Sequence, residues 1–153
     1  MANFHQGQPD AANRRISVVA GRFNEFVTTR LVDSAVECLE KHGADPSAVD
    51  VYWVPGVFEV PQMALRIGVA GRADGIVCLG AIIRGETNNF DILSVSAISS
   101  VAAVSRRCSI PVTYGIITAD TLEQATNRAG GRDSNRGWES ALALVEMMTL
   151  WES

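Results

Sequence analysis

Four short apolar segments alternate along the chain with longer segments whose apolar residues recur at helical spacing. The apolar segments cover residues 16–20, 49–54, 75–83 and 111–117. Each is read as a strand, and the near-continuous apolar run 75–83 is too short for a surface helix and typical of a parallel strand covered on both faces. The helical segments cover residues 26–42, about 59–69, 90–107, about 120–130, and about 135 onwards. With no internal repeat or linker, this alternation predicts a single doubly wound α/β domain with a four-stranded parallel sheet flanked by helices.

Local signals mark several element ends. Gly43 and Gly71 follow helical segments where a C-terminal glycine is expected, and the run 120–123 has the form of a capping box. The segment 90–107 is rich in serine and alanine, which predicts a helix packed between the sheet and partner subunits. Residues 1–15 are polar and predict a flexible N-terminal arm, followed by the α/β domain over 16–153.

Composition narrows the function classes. The chain has 153 residues, 47% of them hydrophobic, an apolar surplus that hints at buried subunit contacts. A net charge of −4 and the absence of a basic tail argue against a nucleic-acid partner. Cys38, Cys78 and Cys108 are widely spaced in apolar or helical contexts, which indicates reduced core residues and not a disulfide set or a zinc site. With neither an export signal nor an apolar run of about 18 residues, we predict a cytoplasmic protein with no membrane partner.

The candidate chemistry lies in loops that follow the predicted strands. These loops contain residues 23–24, 57–59, 81–89 and 118–120, the last beside Tyr114. Because the carboxyl ends of parallel strands share one edge of the sheet, we expect the four loops to converge on one pocket for a flat polar heterocycle and a phosphate. The polar run 84–87 fits an anion site at a helix N-terminus, although an ordinary strand-to-helix loop explains it as well. Neither a dinucleotide fingerprint nor a Walker motif is present, and His5 and His42 do not have metal-ligand spacing.

Two arginines have competing interpretations. Arg128 falls in the last turn of its predicted helix, where the helix dipole favours a cation without any ligand. Arg136 falls in the first turn of the final helix, where a cation is disfavoured unless an anion lies close. That anion is either the carboxylate of Asp133 or a substrate phosphate.

The run from Arg84 to Asp91 resembles the signature of the lumazine synthase family, Arg/Lys-Gly-x-Thr-x-His-Phe/Tyr-Asp/Glu. Five positions match, and Asn89 stands where the family has histidine; the matches are Arg84, Gly85, Thr87, Phe90 and Asp91. The run 54–61 is likewise similar to the family's Val-Pro-Gly-x-x-Glu-Ile/Val-Pro motif. The resemblance extends from Ile16 to the end and implies a flavodoxin-like sheet. It also implies a homo-oligomer built from pentamers, with the short 130–136 connection favouring an icosahedral capsid, and an N-terminal arm lying as a strand on a neighbouring subunit.

The resemblance further implies a reaction and a set of site residues. The reaction is the condensation of 5-amino-6-(D-ribitylamino)uracil with 3,4-dihydroxy-2-butanone 4-phosphate to 6,7-dimethyl-8-ribityllumazine, the penultimate step of riboflavin biosynthesis, with no cofactor or metal. Phe23 would stack on the pyrimidine, and the residues surrounding the uracil would be Val57, Phe58, Glu59, Ala81, Ile82 and Ile83. Glu86 and Thr87 would hold the butanone phosphate. The neighbouring subunit would add Arg128 and Arg136 to this shared active site, and Tyr114 would close it.

The departure at Asn89 leaves alternatives open. Asn89 and Arg128 take the catalytic positions, but an asparagine amide only donates or accepts hydrogen bonds, whereas histidine titrates near neutrality. General acid–base catalysis is worth about 10²–10⁴-fold, and holding two reactants in register is worth more. We therefore expect a transferase that is slowed and not silenced. The alternatives are a ligand-binding or shell-forming homologue, and a generic nucleotide-binding domain of flavodoxin-like fold.

Overall fold

The computed structural model describes residues 1–85, 89–130 and 134–152 and confirms the predicted alternation. The strands are β1 (Ile16–Gly21), β2 (Val49–Val54), β3 (Gly75–Ile83) and β4 (Val112–Ala119). The helices are α1 (Glu25–Lys41), α2 (Val60–Val69), α3 (Phe90–Arg107), α4 (Leu122–Arg128) and α5 (Arg136–Trp151). Short 3₁₀ turns at Pro46–Ala48 and Val57–Glu59 precede β2 and α2.

The four strands form one parallel sheet in the order β2-β1-β3-β4. The chain moves from β1 to one edge of the sheet and then returns to build β3 and β4 on the other side. The switch in direction therefore lies between β1 and β3, where open α/β sheets place their ligand crevice outside the carboxyl ends of the strands. The loops after these two strands carry Phe23 and the 84–91 run.

Helices cover both faces of the sheet, so the two central strands are buried on both sides. One core lies between the sheet and α1, α4 and α5 and includes Leu31 and Leu144. The other lies between the sheet and α2 and α3 and includes Ile67 and Val101. Every residue of β1 is buried, which explains why its sequence reads as an apolar run and not as an alternating one.

The two predicted boundaries on either side of Asp120 were wrong. β4 extends to Ala119 because Thr118 and Ala119 pair with Ile82 and Ile83 of β3. The following helix consequently begins later than the 120–123 run suggested, and its N-cap is Thr121, whose side chain accepts a hydrogen bond from Gln124 N at 3.1 Å. Asp120 is left outside the helix.

The predicted helix-ending glycines are confirmed by backbone geometry. Gly43 has φ = 102° and Gly71 has φ = 67°, a region that side-chain-bearing residues rarely adopt. All three cysteines are free and buried, as predicted. Burial raises the pKa of Cys78 to about 12, and burial with the nearby Glu37 charge raises that of Cys38 to about 11.

Residues 1–15 contain no helix or strand, and part of the segment contacts α5. Gln8 N donates to Thr149 Oγ1 at 2.7 Å, Ala11 is fully buried, and Arg14 pairs with Glu152 at 2.8 Å. Phe4 is almost fully exposed. That these residues act as a flexible arm, or as a strand on a neighbouring subunit, stays a prediction.

Candidate active site

A cavity of about 310 Å³ opens at the carboxyl ends of β1, β2 and β3. We call it the β1–β3 cavity. Its lining residues are Phe23, Pro55, Gly56, Val57, Phe58, Glu59, Ala81, Ile82, Ile83, Phe90 and Leu93. Seven of the predicted substrate-binding residues therefore lie together, from Phe23 through Ile83. They are brought together by the switch between β1 and β3.

Hydrogen bonds between loops fix the mouth of this cavity. Arg22 N donates to Val54 O at 2.7 Å and Phe23 N donates to Pro55 O at 3.1 Å, which continues the β1–β2 pairing into the loops. Asn24 has a left-handed backbone (φ = 65°), and its side-chain amide donates to Ala81 O at 3.0 Å. Asparagine is among the few side-chain-bearing residues that tolerate this conformation. The loop after β1 is thus joined to the loop after β2 and to the carboxyl end of β3.

The lining of the β1–β3 cavity suits a flat heterocycle. Phe23 and Phe58 are 62% and 72% exposed, which is unusual for large aromatic side chains unless a ligand or partner covers them. Glu59 places a carboxylate among otherwise apolar groups, where it can accept hydrogen bonds from ring N–H donors. The cavity therefore offers stacking surfaces, apolar walls and one anionic acceptor.

The start of α3 closes one side of the cavity. Gly85 turns the chain after β3 with φ = 118°, a backbone conformation that favours glycine. Asn89 is exposed immediately before the helix, and its carbonyl accepts the first helical hydrogen bond, from Leu93 N at 2.8 Å. The predicted phosphate contacts Glu86 and Thr87 lie outside the described residues.

The remaining predicted residues line a separate space, which we call the β4–α5 cavity. This cavity has a volume of about 280 Å³ and is lined by Tyr114, Ile116, Ile117, Thr118, Arg128, Ser134 and Arg136. The expectation that all four loops converge on one pocket is therefore wrong for a single chain. β4 is an edge strand, so its unpaired edge points away from the crevice between β1 and β3.

The two arginines of the β4–α5 cavity both have partners within the chain. Arg128 ends α4, as predicted, and its Nη1 donates to Thr118 O at 2.6 Å. Arg136 begins α5 and lies 3.6 Å from the carboxylate of Glu139, one turn further along. Glu139 therefore supplies a nearby anion, in addition to the two candidates predicted from the sequence, Asp133 and a substrate phosphate; Asp133 lies outside the described residues. Two cations still face one cavity, and this arrangement can bind a phosphate.

A charged cluster connects the start of α3 with the residue that follows β4. Arg84 Nε donates to Asp120 Oδ1 at 2.8 Å, and Nη2 donates to Asp91 Oδ1 at 3.2 Å. The guanidinium carbon lies 4.3 Å from the ring centre of Phe90. The hydrogen bond that Arg84 donates to Asp120 is the main cause that raises the pKa of Arg84, and the charges of both carboxylates act in the same direction.

Sequence reasoning missed several residues at these sites. Leu93 lies one helical turn after Phe90, so helical spacing from the signature would have found it. Pro55 and Gly56 belong to a motif already identified, but their contribution to the cavity wall depends on the turn before α2. The Asp120 contact with Arg84 has no local signal, because 36 residues separate the partners.

Among residues 1–85, 89–130 and 134–152, no three His, Cys, Asp or Glu side chains are grouped closely enough to hold a metal ion. Across the same described ranges, none of the helices has both the length and the apolar character needed to cross a membrane.

Comparison with known proteins identifies the family of this chain. The family model for 6,7-dimethyl-8-ribityllumazine synthase matches residues 13–152. A relative from Prosthecochloris aestuarii, named 6,7-dimethyl-8-ribityllumazine synthase, is 43% identical over 147 residues, covering 96% of this chain and 95% of its own. A relative of the same name from Clostridium kluyveri is 40% identical over 146 residues, covering 95% of each chain. The chain therefore belongs to the 6,7-dimethyl-8-ribityllumazine synthase family.

Proposed function

We propose that the active site of this chain is completed by a neighbouring subunit, with the β1–β3 cavity of one subunit facing the β4–α5 cavity of the next. As a member of its family, the chain is a transferase of riboflavin biosynthesis. It condenses 5-amino-6-(D-ribitylamino)uracil with 3,4-dihydroxy-2-butanone 4-phosphate to give 6,7-dimethyl-8-ribityllumazine, with loss of phosphate and water. The family match supports this activity over a ligand-binding or shell-forming role.

The β1–β3 cavity fits the uracil substrate. Its ring would stack on Phe23, with Phe58 and the apolar ends of β3 around it. Glu59 would accept hydrogen bonds from the substrate's N–H groups. The ribityl chain needs polar contacts that the apolar walls do not provide, so we place it toward the open mouth of the cavity.

The single observation that supports a shared site is the separation of the two cavities on one chain. The β1–β3 cavity contains no arginine or lysine among its described lining residues. Arg84 borders this region but is engaged by two carboxylates. Arg128 and Arg136, with Tyr114, line a different space at the edge of the sheet. A phosphate bound beside the uracil would therefore gain cationic contacts if a second subunit brought its β4–α5 cavity against the first.

The chain's own contribution to catalysis is mainly positional. Two reactants held side by side react far faster than the same reactants in solution. Arg128 and Arg136 would favour departure of the phosphate by stabilising its negative charge. Asn89 would orient a substrate polar group by hydrogen bonding, and the proton would move through water or substrate, since an amide does not titrate. Contacts of Glu86 and Thr87 with the phosphate stay predictions.

The surface of α3 favours association. Ile92 and Val95 are exposed on the side opposite its buried residues, and Ile98 is exposed beside them. Covering such a patch by a second copy removes apolar surface from water. We propose a homo-oligomer built from pentamers, and we retain the prediction of a capsid. The predicted cytoplasmic location is compatible with three free buried cysteines.

The first experiment measures lumazine formation from the two substrates against the uncatalysed rate. The second mixes two inactive variants, Phe23→Glu and Arg128→Glu, whose changes lie in different cavities. When the two are unfolded together and reassembled at equal amounts, about a quarter of the interfaces would pair two unaltered halves. We therefore expect activity near a quarter of that of the unmodified protein.

Each variant reassembled alone is the control. A mixture no more active than the average of the two controls would contradict a shared site, provided that sedimentation shows mixed oligomers. An unmodified protein that forms no lumazine above the uncatalysed rate would contradict the activity itself.

A further inference from the structure

We infer that Arg84 is a positioning residue that holds the first turn of α3 at a fixed distance from the β4–α4 loop. This inference rests on the proposed function, because it concerns how the two halves of the proposed active site are aligned within one chain. Arg84 is not among the described residues that line the β1–β3 cavity or the β4–α5 cavity. It acts through Phe90, Asp91 and Asp120.

The contacts of Arg84 extend in two directions from the end of β3. Its backbone N–H donates to Ala119 O at 2.9 Å, which extends the β3–β4 pairing past Ile83. Its side chain donates two further hydrogen bonds, from Nε to Asp120 and from Nη2 to Asp91. A guanidinium has several donors in one rigid plane, so it can fix two carboxylates relative to each other in a way that a single ammonium cannot.

The α3 side of this cluster reaches the β1–β3 cavity. Asp91 belongs to the first turn of α3, and Phe90 lies under the guanidinium while it also lines the cavity. Asn89, the residue at the family's histidine position, immediately precedes them. Holding Phe90 and Asp91 therefore sets the position of Asn89 relative to the cavity wall.

The other side of the cluster reaches the β4–α5 cavity. Asp120 is itself fixed, because its N–H donates to Gln124 Oε1 at 2.9 Å and Gln124 belongs to the N-terminal cap of α4. The end of that helix carries Arg128, which returns to bond Thr118 O, two residues before Asp120. The segment 118–120 is thus hydrogen-bonded to the proposed phosphate arginine at Thr118, near the end of β4, and to Arg84 at Asp120, in the β4–α4 loop.

The exposure of these side chains indicates that the cluster contributes little to the stability of the fold. The side chains of Arg84, Asp120 and Asp91 are 49%, 63% and 78% exposed. Exposed ion pairs contribute little to folding, so the cluster is a weak stabilising device. A small displacement of reacting groups, in contrast, lowers a rate about a hundredfold. The cluster should therefore affect catalysis much more than unfolding.

The test compares Arg84→Met with Arg15→Met. Arg15 is a matched control because it pairs with Asp74 at 3.2 Å with similar exposure, at the opposite end of the sheet. We expect Arg84→Met to lower kcat about 10- to 100-fold, with each KM changed less than about threefold. Arg15→Met should leave kcat unchanged. Urea unfolding midpoints of both variants should stay close to that of the unmodified protein.

Further variants distinguish positioning from a general loss of charge. Asp120→Asn should lower kcat in the same way, and adding it to Arg84→Met should lower kcat no further, because both act through one contact. Arg84→Lys should recover part of the rate, since an ammonium can reach one carboxylate but not both. Additive effects of Arg84→Met and Asp120→Asn would overturn the inference, as would kcat of Arg84→Met within about twofold of the unmodified value.

Amide hydrogen exchange tests the same inference without activity. Arg84→Met should speed exchange about tenfold in residues 89–93 and 119–124, whereas Arg15→Met should not. Unchanged exchange in both segments would overturn the inference even if the enzyme were active. If the unmodified protein makes no lumazine, the proposed function fails, and the exchange measurement alone then decides whether Arg84 fixes the two segments.

Discussion

Replacing Phe23 by alanine should weaken binding of the ribitylaminouracil without unfolding the protein. Phe23 lies at the mouth of the β1–β3 cavity and is 62% exposed, so its ring contributes little to the folded core. The substitution therefore removes a surface that a planar ligand would cover. It leaves the backbone hydrogen bond from Phe23 N to Pro55 O in place.

The size of the effect follows from the exposed area. A phenylalanine offers about 200 Å² for burial, so the exposed 62% amounts to about 120 Å². A ring stacked on one face covers about 60 Å², which is worth about 1.5 kcal/mol at about 25 cal/mol per Å². The geometry of aromatic stacking adds about 0.5–1.5 kcal/mol. The dissociation constant should therefore rise about 30- to 150-fold.

Titration calorimetry with the ribitylaminouracil alone measures this change, and steady-state kinetics should show it mainly in the KM for that substrate. Phe26→Ala is the matched control, because Phe26 is 61% exposed and packs on Arg30, 4.8 Å from the guanidinium carbon, instead of lining the cavity. Sedimentation of both variants checks that assembly is unchanged. A Phe23→Ala protein that binds the uracil within about threefold of the unmodified affinity, or one matched by Phe26→Ala, would refute the stacking argument.

Three further predictions concern proton transfer, phosphate binding and the thiols. Asn89→His should raise kcat by roughly one to three orders of magnitude with little change in KM. The rate should also gain a pH dependence near neutrality. An unmodified protein as fast as the Asn89→His variant would show that another group or water moves the proton. Arg128→Ala should raise the KM for the butanone phosphate about 10- to 100-fold, more than that for the uracil. Added salt should weaken binding of the phosphate substrate. Equal small effects on both KM values would show that Arg128 has only a structural role, through its hydrogen bond to Thr118. Because burial raises the pKa of Cys38 to about 11 and of Cys78 to about 12, the unfolded thiols ionise first, and the free energy of unfolding should fall as pH rises from about 8.5 toward 11. Denaturant titrations across that pH range measure the fall, and a flat profile would contradict it.

The sequence by itself determined the fold and one wall of the site. Buried parallel strands are apolar at nearly every position, so β1 and β3 were visible without any knowledge of their partners. Parallel strands joined by helices must place their following loops at one edge, which is why Phe23 and residues 57–59 were expected near 81–83 before the cavity was seen. The signature at 84–91 indicated the family because its residues are contiguous in the sequence, so it can be recognised without the tertiary structure.

Residue spacing did not show that the other site residues lie in a second cavity of the same chain, and the tertiary structure decided this division. The order β2-β1-β3-β4 puts β4 at an edge, so Tyr114, Arg128 and Arg136 face a separate cavity instead of joining Phe23. The ion-pair partners of the charged residues also could not be identified from the sequence. Arg136 has Glu139 nearby, and Asp120 binds Arg84 instead of capping α4. Sequence spacing reports which residues share a strand or a helix face, but ion pairs between distant loops depend on how these elements pack in three dimensions.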